Sequence, residues 1–316
     1  MHDKNSNSIY ATGLSIKPHY SFAYRFNIER SFPKSILPRQ HIHLSELSKK
    51  AKRRLITAMQ WMIFLSPNHS TYCKFQKMKF KFKINFITLT LSDVQMHSDK
   101  FIVHKMLRSM LKYLIRKGCS HYIWKAETQD NGNIHFHITS NHYIYWKSLR
   151  NKWNSIQSKH GYLKKYFDTN GDHDANSTDV HAVKNNKGII SYMTKYMLKS
   201  DKYKKNQKKK YSIPSHYYSE KLNCTDASGK YLKRTIECAL WNCSSTLSKM
   251  KMNITEEDLE YNAMIRYIEN NSTHIRTDHG TLYEYQSEEI FSTIYRMFDE
   301  SGYNYQNDLS KISATG

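Results

Sequence analysis

The sequence predicts an α+β fold in which helices pack on an antiparallel β-sheet, followed by a helical C-terminal extension. Three observations support this fold class. Segments with the two-residue alternation of strands are interspersed with segments that repeat apolar residues at helical spacing. Two of the strand-like segments flank an Asn-Gly turn, which is typical of an antiparallel hairpin. The order strand, helix, hairpin, helix, strand, helix suits a sheet on which helices pack.

The first predicted elements lie between residue 45 and residue 118. SELSKKAKRRLITAMQWMIFLSP is a basic helix that becomes apolar and ends at Pro67. KMKFKFKINFITLTLS alternates over its first half and is rich in β-branched residues, so we expect one long strand that ends near Ser92. SDKFIVHKMLRSMLKYLIRKG has apolar residues at helical spacing and stops at Gly118, a favourable helix C-terminus.

The hairpin and the elements after it complete a predicted core at residues 77–200. SHYIWKAE and IHFHITS are its two strands, and TQDNGN is its turn. The segment YWKSLRNKWNSIQSKHG predicts a helix, STDVHAV a short strand, and NKGIISYMTKYMLKS a third helix.

Charge divides the chain into regions. It has 49 Lys+Arg against 27 Asp+Glu, a net charge of +22, but residues 251–316 hold only 5 Lys+Arg against 12 Asp+Glu. We therefore expect an irregular N-terminal arm at 1–44, a basic central domain at 45–250, and an acidic tail at 251–316. Two helices are expected in the tail, near Glu256–Glu269 and Glu288–Asp299. So large a positive charge implies a polyanionic partner, nucleic acid before membrane.

Several classes of protein are disfavoured by the composition. No apolar run reaches about 18 residues, and the N-terminus lacks the apolar stretch of a signal peptide, so we expect a soluble, cytoplasmic protein. The five cysteines contain no C-x-x-C pair, so neither a disulfide framework nor a zinc ribbon is indicated. No P-loop motif of the G-x-x-x-x-G-K-[ST] kind occurs.

The stretch NGNIHFHITS contains the candidate metal ligands. His135 and His137 share one face of a strand, because strand side chains alternate. Glu127, at the end of the preceding strand, lies close to them across the turn. Two imidazole nitrogens and a carboxylate oxygen suit Mn²⁺ or Mg²⁺. Other side chains compete with Glu127 for the third position: Gln129, Asp130 and Asp179.

The third predicted helix carries the candidate nucleophiles. Tyr192, Lys195, Tyr196 and Lys199 are spaced i, i+3, i+4 and i+7, so they form one stripe opposite an apolar side. An unperturbed phenol titrates near pH 10 and is a poor nucleophile unless a cation favours the phenolate. Lys195 is placed to do so, and a metal opposite the tyrosines would polarise a scissile phosphate.

Three motifs together resemble those of the HUH endonucleases, named for His-hydrophobic-His. They are FITLT at 86–90, HFH at 135–137 and YMTKY at 192–196. The two tyrosines with a lysine before the second are similar to the rolling-circle replication initiators of microvirus-type phages and related bacterial plasmids. A looser likeness extends over residues 45–250, which would form the nicking domain with a Rep-like nuclease fold.

The resemblance implies a role for each motif and implies no nucleotide cofactor. His135, His137 and Glu127 would bind the divalent metal. Tyr192 or Tyr196 would attack a phosphodiester of single-stranded or extruded origin DNA, forming a 5′-phosphotyrosine link and a free 3′-hydroxyl. The other tyrosine would cut the regenerated origin. Three further residues would contact DNA. Thr88 and Thr90 belong to the first motif, and Lys199 belongs to the predicted helix that carries the tyrosines. A host polymerase would extend the 3′-hydroxyl in the bacterial cytoplasm, and a host helicase would unwind the duplex.

Two other interpretations stay open at this point. One keeps the chemistry but makes the protein an HUH transposase or a mobilisation relaxase. The other, from a different class, is a non-catalytic single-stranded nucleic-acid-binding protein whose tyrosines stack on bases. The acidic tail could bind a host replication protein, cover the basic surface in competition with DNA, or act as a solubilising appendage.

Overall fold

The computed structural model of this chain describes seven stretches of residues. They are 10–27, 47–73, 77–129, 131–183, 236–256, 258–277 and 280–300. These residues divide into two compact units, one within 1–40 and 249–316 and the other within 41–248. The predicted α+β class with antiparallel sheets is confirmed. None of the helices in the described stretches is long and apolar enough to cross a membrane.

Strands and helices are numbered separately in chain order. The strands are β1 (Tyr10–Lys17), β2 (Tyr20–Asn27), β3 (His69–Cys73), β4 (Met78–Phe82), β5 (Asn85–Leu89), β6 (Tyr122–Thr128), β7 (Ile134–Ser140), β8 (Thr178–Ala182), β9 (Trp241–Cys243), β10 (Met252–Thr255), β11 (Ser272–Thr277) and β12 (Gly280–Tyr285). The helices are α1 (Lys49–Leu65), α2 (Asp99–Phe101), α3 (Arg108–Arg116), α4 (Trp146–Lys159), α5 (Lys164–Asn170), α6 (Ser245–Lys249), α7 (Tyr261–Asn271) and α8 (Glu288–Glu300). A π-helical segment, Ile102–Leu107, joins α2 to α3.

The larger unit contains a five-stranded sheet in the order β8-β5-β7-β6-β9, with every neighbouring pair antiparallel. The predicted hairpin is confirmed as β6 and β7, and the predicted short strand as β8. One face of the sheet is apolar: Phe136 and Ile138 of β7 are fully buried in a cluster with Leu149 and Trp153 of α4. The histidines of β7 lie on the other face, because side chains alternate along the strand.

The single long strand predicted over residues 77–92 is wrong. The segment divides into β4, which pairs with β3 in a separate two-stranded sheet, and β5, which joins the large sheet. The burial pattern gives the reason. Lys79 and Lys81 are exposed beside buried Phe82, whereas Asn85, Phe86 and Ile87 are consecutive and all buried. A half-exposed hairpin strand thus precedes a strand that is covered on both faces.

The helices predicted for the larger unit agree with the structure where it describes them. Ser48 caps α1 by accepting a hydrogen bond from the Ala51 amide at 3.1 Å. The helix predicted to end at Gly118 is formed by α2, the π-helical segment and α3, and Gly118 has a φ of +97°, which favours glycine. The helix predicted at 186–200, which carries the tyrosines, lies outside the described residues.

A buried amide network fixes the start of β7. The side-chain oxygen of Gln95 accepts a hydrogen bond from the backbone amide of Ile134 at 2.8 Å. The backbone amide of Gln95 donates to the side-chain oxygen of Asn133 at 2.9 Å. Gln95 also donates from its side chain to the Asp99 carboxylate at 2.9 Å. In the turn itself, Gly132 adopts a φ of +82°. This network attaches the hairpin turn to α2. It therefore holds the first residues of β7, next to His135, in a defined position.

The smaller unit corrects the prediction of an irregular arm at 1–44, because residues 10–27 form β1 and β2. These strands belong to a second antiparallel sheet in the order β10-β1-β2-β12-β11. The predicted tail helices are present as α7 and α8, but the tail also supplies three strands of that sheet. Leu14 and Ile16 of β1 are buried, as is Ile254 of β10, which pairs with β1.

Candidate metal centre

Two adjacent strands bring the three predicted ligands together. Glu127 of β6 lies directly opposite His135 of β7, and His137 is two residues further along the same face. One carboxylate oxygen of Glu127, Oε2, is 3.5 Å from Nε2 of His135 and 3.5 Å from Nε2 of His137. The ligating atoms of the three residues lie within 4.8 Å of one another. They therefore form a compact group of two nitrogens and one oxygen.

Thr88 orients His137. It lies opposite His137 on β5, and its hydroxyl is 3.3 Å from Nδ1 of the imidazole. The ring of Phe86 lies 5.1 Å from the same imidazole. With Nδ1 engaged by the hydroxyl, Nε2 is the nitrogen that faces Glu127. A partner on the far nitrogen is the usual way in which a metal-binding histidine is held in one orientation.

His135 supports a metal at this point most directly. Both of its ring nitrogens are buried, and among the described residues neither makes a hydrogen bond of good geometry, although Nε2 lies 3.5 Å from Oε2 of Glu127. Leaving a buried polar atom without a partner costs roughly 1–3 kcal/mol. A cation between His135 and Glu127 would satisfy Nε2, so the residues present fit a divalent metal.

Lys125 belongs to the same group and was not predicted from the sequence. It lies opposite His137 in the strand register, two residues before Glu127 on the same face of β6. Its side chain is only 7% exposed, and its ammonium contacts Oε1 of Glu127. The two oxygens of Glu127 therefore have separate partners, the lysine at Oε1 and the imidazoles at Oε2. The sequence WKAE could have indicated this contact, because alternation along a strand places Lys125 and Glu127 on the same face.

Electrostatics favours the metal-binding protonation states. Burial by itself raises the pKa of Glu127, but the two imidazoles and the ammonium of Lys125 lower that pKa well below its ordinary range. Burial lowers the pKa of His135, and although Glu127 opposes this, the nearby His137 and Lys125 add to the lowering. Glu127 is therefore ionised and His135 neutral near pH 7, which are the forms that bind a metal.

Of the competing third ligands, the two that the structure describes lie apart from this group. Asp179 lies opposite Thr88 on β8, yet its side chain is 73% exposed and its carboxylate is 3.5 Å from Nδ1 of His181. Gln129 is in the hairpin turn, where its backbone amide donates to the Asn133 carbonyl at 2.8 Å. Asp130 lies outside the described residues. Within the described stretches, Glu127 is thus the carboxylate that converges with the two histidines.

The remaining predicted site residues fall into two sets. Thr88 contacts His137 as described, and the Thr90 hydroxyl donates to the Ser177 carbonyl at 3.1 Å. The four residues of the tyrosine stripe lie outside the described residues, so their roles stay predictions: Tyr192, Lys195, Tyr196 and Lys199.

An α+β protein with a candidate metal-binding group of two histidines and a carboxylate on one face of an antiparallel sheet is the class that the fold and the site define. Residues 84–201 match the family model described as Replication-associated protein ORF2. The matched segment contains strands β5 to β8, all three candidate ligands and the tyrosine motif, and it supports a role in initiating rolling-circle replication. Neither the comparison with curated proteins nor that with solved structures gave a match.

Proposed function

We propose that this protein is a metal-dependent endonuclease and strand transferase that initiates rolling-circle replication by nicking single-stranded origin DNA. The observation that carries the proposal is the group formed by Glu127, His135 and His137 inside the segment that is similar to replication-associated proteins. The excess of Lys and Arg supports a nucleic-acid substrate, because each contact with a phosphate releases a counterion.

The described residues prepare the site for a cation. Glu127 supplies one ionised oxygen, His135 a neutral and buried nitrogen, and His137 a nitrogen whose direction Thr88 fixes. Bound Mn²⁺ or Mg²⁺ would polarise the scissile phosphate and stabilise the charge that develops on it. The apolar opposite face of β7 holds both histidines on a rigid strand, which reduces the cost of arranging the ligands.

In the proposed covalent step, Tyr192 or Tyr196 gives its phenol proton to water, and the phenolate oxygen attacks the phosphorus of the DNA. The bond from phosphorus to the 3′ oxygen breaks, that oxygen takes a proton from water, and the phosphate stays on tyrosine as a 5′-phosphodiester. Lys195 favours the phenolate by its charge. The other tyrosine repeats the step at the regenerated origin. The 3′-hydroxyl that this second cut releases attacks the first phosphotyrosine, which frees that tyrosine and closes the strand into a circle. Host polymerase and helicase are the proposed partners, and Thr88, Thr90 and Lys199 the proposed DNA contacts.

The test is covalent capture of DNA. Purified protein is incubated with single-stranded DNA from a panel of candidate origins and Mn²⁺, and the adduct is measured on a denaturing gel and mapped by mass spectrometry. We expect a nucleotide on Tyr192 or Tyr196, and no adduct with the Tyr192→Phe/Tyr196→Phe double variant. Tyr166→Phe, a change on α5, is the matched control and should form the adduct at the wild-type level.

The other outcomes identify the alternatives. No adduct with any candidate origin, or an adduct that survives the double variant, contradicts the enzyme and favours a binding protein. Transfer of the strand to a new target, with a single indispensable tyrosine, would point to a transposase or relaxase. His135→Ala should abolish the adduct while leaving salt-sensitive DNA binding nearly unchanged, since binding depends on many cationic contacts.

A further inference from the structure

Aromatic rings are exposed together at the start of α4. Tyr145 is 55% exposed and Trp146 is 41% exposed, and their ring centroids are 5.6 Å apart. The Arg150 guanidinium lies over the Trp146 ring at 4.8 Å from its centroid, and the Lys147 ammonium at 5.8 Å. Exposed rings flanked by cations are the combination that binds unpaired nucleic-acid bases and the phosphates between them.

A groove lies along α4 and begins at Lys147, the residue after Trp146. It has a volume of about 520 Å³ and runs between the helix and the segment before β8. Lys147 lines it at one end and Lys159 at the other, with the exposed side chains of Asn151 and Ser155 between them. A 14-residue helix is about 21 Å long, which gives the groove the length for several nucleotides.

The chain from residue 131 to residue 167 is basic, whereas the opposite side of the groove carries Asp174. Residues 131–167 contain six Lys and Arg and no Asp or Glu. The acidic side chain that lines the groove, Asp174, contacts Lys147, and Asn176 accepts a hydrogen bond from Arg150. These two contacts hold the cations beside Trp146. An anionic chain with flat, unpaired bases complements both properties of this surface.

The surface is separate from the candidate metal centre. Leu149, Trp153 and Ile156 of α4 are buried in one cluster with Phe136 and Ile138 of β7. Those β7 side chains project from the face opposite to that of the two histidines, because strand residues alternate. A DNA segment on α4 is therefore a different part of the strand from the one at the metal centre.

We infer that the α4 surface, formed by Tyr145, Trp146, Lys147, Arg150 and Lys159, is a second binding site for single-stranded DNA. It holds unpaired bases on Tyr145 and Trp146 and the backbone on the cations of the groove. The inference rests on the proposed DNA substrate, but it concerns affinity and not cleavage. Duplex DNA is disfavoured as the occupant, because its bases are already stacked and paired.

The experiment measures affinity for fluorescein-labelled oligothymidylate with a metal chelator present, so that no cleavage is needed. We expect Trp146→Ala and Tyr145→Ala each to weaken binding roughly ten-fold, the usual effect of one lost base stack. Trp146→Phe keeps an aromatic ring and should therefore retain most of the wild-type affinity. The matched control is Tyr72→Ala, which removes an equally exposed ring from β3 and should bind as wild type does.

The cations are tested through salt dependence. Arg150→Ala should reduce the slope of log affinity against log salt by about 0.7. Lys112→Ala, an exposed lysine of α3, should leave the slope unchanged. Wild-type affinity in the Trp146→Ala variant, an equal loss in Tyr72→Ala, or duplex binding as tight as single-stranded binding would each overturn the inference. Failure to form a covalent adduct would refute the nicking proposal. It would not change the measured affinities for single-stranded DNA, on which this inference depends.

Discussion

Replacing Glu127 with Gln removes the carboxylate from a buried group of charges. In the wild type this carboxylate contacts Lys125, and the two side chains are 15% and 7% exposed. Removing one partner of a buried ion pair costs about 3–5 kcal/mol, because the other charge stays buried. Since Glu127 retains some contact with solvent, we expect the lower end, a loss of about 3 kcal/mol in the unfolding free energy of the metal-free protein.

The assay is urea unfolding followed by tryptophan fluorescence, with chelator present, and a parallel thermal melt. For a unit of this size a loss of about 3 kcal/mol corresponds to a fall of about 6–12 °C in Tm. Asp179→Asn is the matched control, because it neutralises an exposed carboxylate on the same sheet. That change should alter stability by no more than about 0.5 kcal/mol.

A second variant distinguishes the contribution of the Lys125–Glu127 ion pair to the unfolding free energy from any other effect of replacing Glu127. In Lys125→Met/Glu127→Gln the buried ammonium is also gone, so we expect the double variant to be more stable than Glu127→Gln alone by at least about 1 kcal/mol. The reasoning fails if Glu127→Gln has the wild-type unfolding free energy. It also fails if the losses of unfolding free energy caused by Lys125→Met and Glu127→Gln are additive in the double variant, because the buried pair would then not stabilise the strand.

The same region of the sheet predicts three further outcomes. Because the pKa of Glu127 is lowered on folding, its stabilising contribution is present above the pKa of unfolded glutamate, about 4.3, and is lost as pH falls through the folded value. The stability difference from Glu127→Gln should therefore shrink below about pH 4, which urea titrations at several pH values would measure. Thr88→Val should weaken Mn²⁺ binding roughly ten-fold in calorimetry, whereas Thr90→Val should not, because only Thr88 orients His137. Gly132→Ala should destabilise the protein by about 1 kcal/mol in urea unfolding, since a side chain strains the positive φ of the turn, and wild-type stability would show that the turn relaxes.

The parts of the fold that the sequence predicted well are those determined by neighbouring residues. The hairpin of β6 and β7 needs only two alternating strands and a turn, and both are local. The same hairpin sets the register that brings Glu127 opposite His135, so the local pattern was sufficient to propose the metal ligands. Helices α1, α3 and α4 were likewise predicted from their own periodicity and end signals.

The errors occur where pairing partners are distant in the sequence. β1 pairs with β10, which lies more than two hundred residues away, and nothing within residues 10–17 indicates that partner. Local alternation also continues from β4 into β5, although the two strands belong to different sheets. Which sheet a strand joins depends on the surfaces available to it, and a single sequence does not contain that information in its local pattern.

Lys125 is the most consequential omission, because it changes the charge of the candidate metal centre. The sequence suggested two neutral imidazoles and one carboxylate, a set with a charge of −1. The structure adds the ammonium of Lys125 on the same carboxylate, so the group carries no net charge when both histidines are neutral. Such a set offsets little of a divalent ion's charge, which is then available to attract a DNA phosphate. For the proposed nicking reaction, the buried lysine thus favours a centre that binds its cation together with the DNA phosphate over one that binds the cation tightly by itself.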